Sequence, residues 1–135
     1  MGDTNDHSHR ATSLVWAEHE ARIRARLEAL DPDLGRYIED FAYGEVFERG
    51  GLDFKTKELL AVVMLLALGS PDEIRTHLRG ALRVGATERE LRETLLFAAP
   101  FLGFPRVVGA FAQLKDVLSK ERAAPRAEGG ERDES

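Results

Sequence analysis

Glu58 and His77 are the residues of this chain whose types best suit moving a proton. An imidazole titrates near neutral pH, so a histidine held beside a cavity can serve as general acid or base. His77 falls three residues after Ile74 and one before Leu78, which puts it at the edge of an apolar helix face. Glu58 immediately precedes the ten-residue apolar run Leu59–Leu68, so its carboxylate stands where water gives way to core. Simpler readings exist for both. A half-buried histidine can be satisfied by one hydrogen bond, and an acid in the first turn of a helix favours the helix dipole. Arg49, Arg75, Arg79 and Arg83 could grip a carboxylate through the guanidinium fork, or stand as ordinary surface charges.

The missing chemistry narrows the field further. The sequence has no cysteine, which excludes disulfides, thiolate metal ligands, thiol nucleophiles and thiol redox cycles together. It has no phosphate-binding glycine loop, no H-E-x-x-H and no G-x-S-x-G. No metal site or cofactor is therefore expected. His7 and His9 form H-S-H in a polar stretch, which could bind a metal weakly but most often is simply solvated.

These groups need a scaffold, and the pattern is helical throughout. A helix is expected over 14–30, with Trp16, Ile23, Leu27 and Leu30 on one face. Asp31-Pro32 starts a second, which Gly50-Gly51 ends. Asp53 caps a third, whose run LLAVVMLLAL is apolar on all sides and belongs in a core or a subunit interface. Gly69 stops it. Ser70-Pro71-Asp72-Glu73 reads as a capping box opening the fourth, which by itself accounts for Ser70 and Glu73. Thr87 to Glu90 is a second such box opening the fifth, over 88–99. Pro100 to Pro105 reads as a break before a sixth helix over 106–118. Alternating patterns and tight hairpin turns are absent, so no strand is expected.

The 135 residues suit one domain, expected over 13–119 between polar disordered tails at 1–12 and 120–135. No stretch approaches the roughly 18–20 apolar residues needed to cross a bilayer. The opening MGDTNDHSHR lacks the apolar centre of a secretory signal, so a cytoplasmic location is expected. The net charge of −5 argues against nucleic acid as a partner.

Five segments in order carry a resemblance. Phe41 to Asp53 reads FAYGEVFERGGLD, and Lys57-Glu58-Leu59 follows. Glu73 to Ala81 reads EIRTHLRGA, Gly85 to Leu91 reads GATEREL, and Gly103-Phe104-Pro105 closes the set. Together they resemble the carboxymuconolactone decarboxylase family, across residues 38–118. The resemblance implies an all-α, six-helix orthogonal bundle of the alkylhydroperoxidase D-like type, assembled as a trimer or hexamer.

Two branches of that resemblance imply different chemistry. In the peroxidase branch a glutamate, a C-x-x-C pair and a histidine form a thiol relay. Glu58 and His77 match the first and last, while Ser70 and Glu73 stand at the two thiol positions. A hydroxyl and a carboxylate cannot replace a low-pKa thiolate, so peroxidase activity is the least favoured reading. The decarboxylase branch needs no cofactor and acts on a small anionic, carboxylated lactone. It implies His77 as acid/base, and Arg49 or Arg79 holding substrate; with Glu58 matching the relay frame of the other branch, His77 and Glu58 are the candidate catalytic residues. A non-catalytic ligand-binding or scaffold role is the alternative. Departures from the decarboxylase pattern are Tyr43 and Phe47 at usual tryptophan positions, Gly50 at a common proline position, Phe101 where a tyrosine often precedes G-x-P, and Glu58, which is more typical of the peroxidase branch.

Overall fold

A computed structural model describes residues 6–123, with side chains from Arg10 onward. Among these residues the chain is all helical. The elements are α1 (Asp6–Trp16), a 3₁₀ turn (Ala17–His19), α2 (Glu20–Leu30), α3 (Pro32–Arg36), a π-helical segment (Tyr37–Phe47), α4 (Phe54–Leu68), α5 (Pro71–Arg83), α6 (Glu88–Leu102) and α7 (Phe104–Ala123). No helix among the described residues is long and apolar enough to cross a membrane.

All six expected helical segments are present, and their edges show what local pattern misses. The polar stretch expected as a tail at 1–12 enters helix at Asp6, and Ala11 and Thr12 are buried. Residues 1–5 and 124–135 lie outside the described residues, as do the side chains of His7 and His9. The helix expected over 14–30 is divided at Ala17, whose φ of 44° is left-handed. Arg83 of α5 reaches Glu18 in that turn and Glu121 of α7 at 3.1 Å, tying the turn to the bundle. The second segment changes after Arg36 from α- to π-helical winding. Within it Tyr43 and Phe47, four apart, stack with ring centroids 4.7 Å apart.

Several local signals form as the sequence predicts. Asp53 accepts from the Thr56 N–H, and Thr87 and Glu90 form a reciprocal capping box. Gly69 takes the left-handed conformation at the end of α4, with φ 73°. The box at Ser70 does not form. The Ser70 N–H is already committed to the Leu65 carbonyl at 3.1 Å, closing α4, so Glu73 has no donor to reach back to. Nor does Pro100 break the chain. It lies in the last turn of α6, and only Gly103 separates α6 from α7. Helix α7 continues beyond Leu118 to Ala123, where Arg122 pairs with Glu88 at 3.1 Å.

Two apolar clusters form. The larger joins α4 to α7 through Val62, Leu66, Leu78, Leu91, Leu95 and Leu114. The smaller joins α1 to the π segment through Ala11, Val15, Trp16 and Tyr43. Gly80 lets α5 meet α1 and α4 at their junction. A Cβ there would lie 2.7 Å from Glu58 Oε2 and 2.8 Å from Val15 Cγ1. Glycine inside a helix ordinarily costs about 0.5–1 kcal/mol relative to alanine. Here overpacking against two buried side chains, at about 1–3 kcal/mol, outweighs that gain. Gly80→Ala is therefore expected to lower stability in chemical denaturation, and an unchanged or raised midpoint would contradict the close approach.

Candidate active site

The site begins with one buried carboxylate. Glu58 sits in the second turn of α4 and is 0% exposed. An ionised carboxylate cannot stay buried without strong partners. Its partner is His77 on the facing turn of α5, whose Nδ1 lies 2.9 Å from Oε2 and 3.2 Å from Oε1. The side chain of His77 is 14% exposed. With Nδ1 protonated and donating to the carboxylate, Nε2 is the free nitrogen. It has no hydrogen-bond partner among the described residues.

An aromatic ladder backs the imidazole. Phe47 lies nearly parallel to it, with centroids 6.3 Å apart and planes 19° apart. Tyr43 stacks on Phe47, and Trp16 meets Tyr43 edge-on at 5.0 Å. Trp16 Nε1–H donates to the Tyr43 hydroxyl at 3.1 Å. Lys57 holds the end of the π segment by donating to the Phe47 carbonyl at 2.6 Å. Burial first, and the Glu58 charge second, push the Tyr43 hydroxyl well above tyrosine's ordinary value, while the Trp16 bond pulls the other way.

His77, Tyr43 and Trp16 border a cleft of about 380 Å³. Its remaining walls are aliphatic side chains of α2, α3 and the π segment, such as Ile23, Leu27 and Ile38. Charge enters from Arg26 on α2 and from Asp72 and Glu73 on α5. Arg26 has no ion-pair partner among the described residues.

The structure thus brings Glu58 and His77 together and sets Glu73, one turn before His77, on the same cleft. Ser70 is half-buried at the start of α5 and does not line it. Neither Arg49 nor Arg79 lines it either. Arg49 is exposed beyond the π segment. Arg79 is half-buried and lies near Arg22, Arg83, Glu18 and Glu121; burial and the Arg22 charge draw it below arginine's ordinary value. Arg26, Tyr43 and Trp16 line the cleft from three separate elements, α2, the π segment and α1, so only the packing of those elements brings them together. No group of three or more His, Asp or Glu side chains among the described residues is arranged to hold a metal ion.

The arrangement is that of an all-helical protein with a carboxylate-backed imidazole at the edge of a small cleft. Residues 32–116 match the model of the carboxymuconolactone decarboxylase family. The chain is 34% identical over 114 residues to a 4-carboxymuconolactone decarboxylase of Acinetobacter baylyi, covering 84% of this chain and 85% of that one. It is 38% identical over 73 residues to a nitrosuccinic acid decarboxylase of Metarhizium robertsii, covering 54% and 51%. It is also 35% identical over 98 residues to an uncharacterized 15.0 kDa protein of Paracoccus denitrificans, covering 70% and 72%. The chain belongs to the carboxymuconolactone decarboxylase family.

The raised Tyr43 value fixes a pH dependence. A folded-state value above the unfolded one favours folding while the phenol is protonated. That contribution is fully present below tyrosine's ordinary pKa of about 10 and is lost as pH rises toward the folded value. Tyr43→Phe should cost about 1–3 kcal/mol near neutrality by stranding the Trp16 N–H. It should also flatten the fall of the melting temperature above about pH 10. Parallel alkaline melting curves for the two proteins would contradict the assignment.

Proposed function

We propose that the protein is a cofactor-independent decarboxylase of a small, carboxylated lactone, with His77 as its proton carrier. The observation that supports this best is the Glu58–His77 pair. The buried carboxylate fixes the ring's orientation and tautomer, and this leaves Nε2 for chemistry at the cleft. The two decarboxylase relatives favour the same reaction class.

The chemistry follows from the substrate's own conjugation. The bond between the ring and the departing carboxylate breaks, and carbon dioxide leaves. The electron pair left behind moves through the double bond onto the lactone carbonyl oxygen. His77, protonated on both nitrogens, then gives its Nε2 proton to carbon and the carbonyl re-forms. The ring keeps the Nδ1 proton that Glu58 accepts, and Nε2 recovers its own from water. Arg26, rather than Arg49 or Arg79, supplies the cation that holds a second carboxylate of the substrate. The aliphatic walls keep water from the carbanionic carbon.

Carbon dioxide release from a carboxylated butenolide tests both roles. His77→Ala should lower kcat by about 10²–10⁴-fold, the usual worth of a placed proton donor. Arg26→Ala should act mainly on KM, since it removes binding common to ground and transition states. Undiminished turnover in His77→Ala would reject the reading.

The proposal extends to self-association, as a trimer or hexamer. Leu60, Met64 and Leu68 recur along one exposed face of α4, and Phe97 and Phe101 of α6 are exposed beside it. Together these helices border an apolar groove of about 540 Å³. An apolar surface of this kind marks an association site. Sedimentation should give an oligomer that Phe97→Asp with Phe101→Asp dissociates; a monomeric parent, or an oligomer indifferent to both changes, would contradict it.

A further inference from the structure

The geometry points to Tyr43 as a second catalytic residue: its O–H donates to the carbonyl oxygen of a ligand bound beside His77 and holds the negative charge that develops there. The inference rests on the lactone reading above, and it assigns a role that reading leaves open.

Three observations carry it. First, Tyr43 lines the same cleft as His77 while the residue is only 5% exposed, so it meets little bulk water. Second, the hydroxyl oxygen already accepts from Trp16 Nε1–H at 3.1 Å. That bond fixes the phenol's rotation and uses the oxygen as acceptor, so the phenolic proton must find an acceptor elsewhere. Third, none exists among the described residues. Glu58 is close enough to influence Tyr43's ionisation but makes no hydrogen bond to it, and both Glu58 oxygens face His77. A buried O–H without an acceptor is unfavourable, and an oxygen atom in the cleft satisfies it.

The chain Trp16 N–H to Tyr43 O–H to ligand oxygen is a relay of aligned dipoles. Donation into the phenol oxygen strengthens the phenol as a donor. No bond to Tyr43 forms or breaks, and its proton stays on oxygen. Tyr43 and His77 divide the work. One stabilises charge at the carbonyl oxygen, and the other delivers the proton at carbon. Stacking of Tyr43 on Phe47, and of Phe47 on His77, sets the two groups in fixed relation across the cleft.

The test uses the full chain and a butenolide bearing a carboxymethyl group, a lactone whose carboxylate has no conjugated path for leaving. The infrared carbonyl band of the bound probe reads donation directly. It should move to lower frequency on binding to the parent protein and return to its solution position in Tyr43→Phe. With a substrate that can lose carbon dioxide, Tyr43→Phe should lower kcat by about 10²–10³-fold, the worth of one oxyanion donor, with little change in KM. Should Tyr43→Phe fold poorly, Tyr37→Phe leaves Tyr43 as the chain's remaining tyrosine, since the sequence has two. Fluorotyrosine in that background, a stronger donor, should move the band further. A bound probe with an unshifted band, no binding at saturating probe, or a shift that persists in Tyr43→Phe overturns the inference. Turnover that survives Tyr43→Phe intact removes the role and leaves the decarboxylase reading standing. A Tyr43-dependent shift in a protein that releases no carbon dioxide does the reverse.

Discussion

A carboxylate wholly withdrawn from water must be matched by a neighbour, and Glu58 is matched by His77 across two packed helices. Removing one partner of such a pair leaves the other as an unsatisfied buried polar group, at a cost of about 1–3 kcal/mol. The pair therefore constrains everything around it. Helix α5 must lie close enough for Nδ1 to reach both oxygens, and Gly80 permits that approach by presenting no side chain where α1, α4 and α5 converge. The same closeness turns the imidazole so that one nitrogen is spent on structure and the other is left over. The proposed proton transfer and the packing thus rest on one contact.

Around that contact the molecule is built from two unequal parts. The α4–α7 cluster is ordinary helical packing, held by leucine and valine. The N-terminal arm is a thinner layer whose aromatic residues line up toward the imidazole. Its turn at Ala17 and its π-helical winding both depart from regular geometry, and both lie beside the cleft. Irregular helical winding often marks a functional site, because it re-aims side chains that a straight helix would point elsewhere. Trp16, just before the turn, meets Tyr43 edge-on, and Tyr43 and Phe47 stack within the π-helical winding.

The sequence disclosed what depends on near neighbours. Asp53, Gly69 and the Thr87–Glu90 box act within one helical turn, so their types and spacing suffice. Glu58 and His77 were legible as chemistry because each sits at the border of an apolar run, and the family resemblance put them in one relay. Their contact spans 19 positions in sequence and needed the fold to be seen. The Ser70 box misled because its backbone donor was already taken by the preceding helix, a competition invisible in a four-residue motif. Arg26 looked like any helix-surface arginine, while Arg49 and Arg79 sat nearer the recognised motifs. Which arginine reaches the cleft depends on how α2 docks, and that is set by the turn at Ala17. Tyr43 stood out only as a departure from a usual tryptophan position, and its bond from Trp16 is visible only in the fold.

Nitrogen NMR of labelled histidine tests the central contact most directly, with His77→Gln assigning the His77 signals among the four histidines. The account requires the neutral ring to carry its proton on Nδ1, with a strongly hydrogen-bonded shift that disappears in Glu58→Gln while the protein stays folded. A neutral ring protonated on Nε2, or shifts indifferent to Glu58, would mean that the carboxylate does not hold the imidazole.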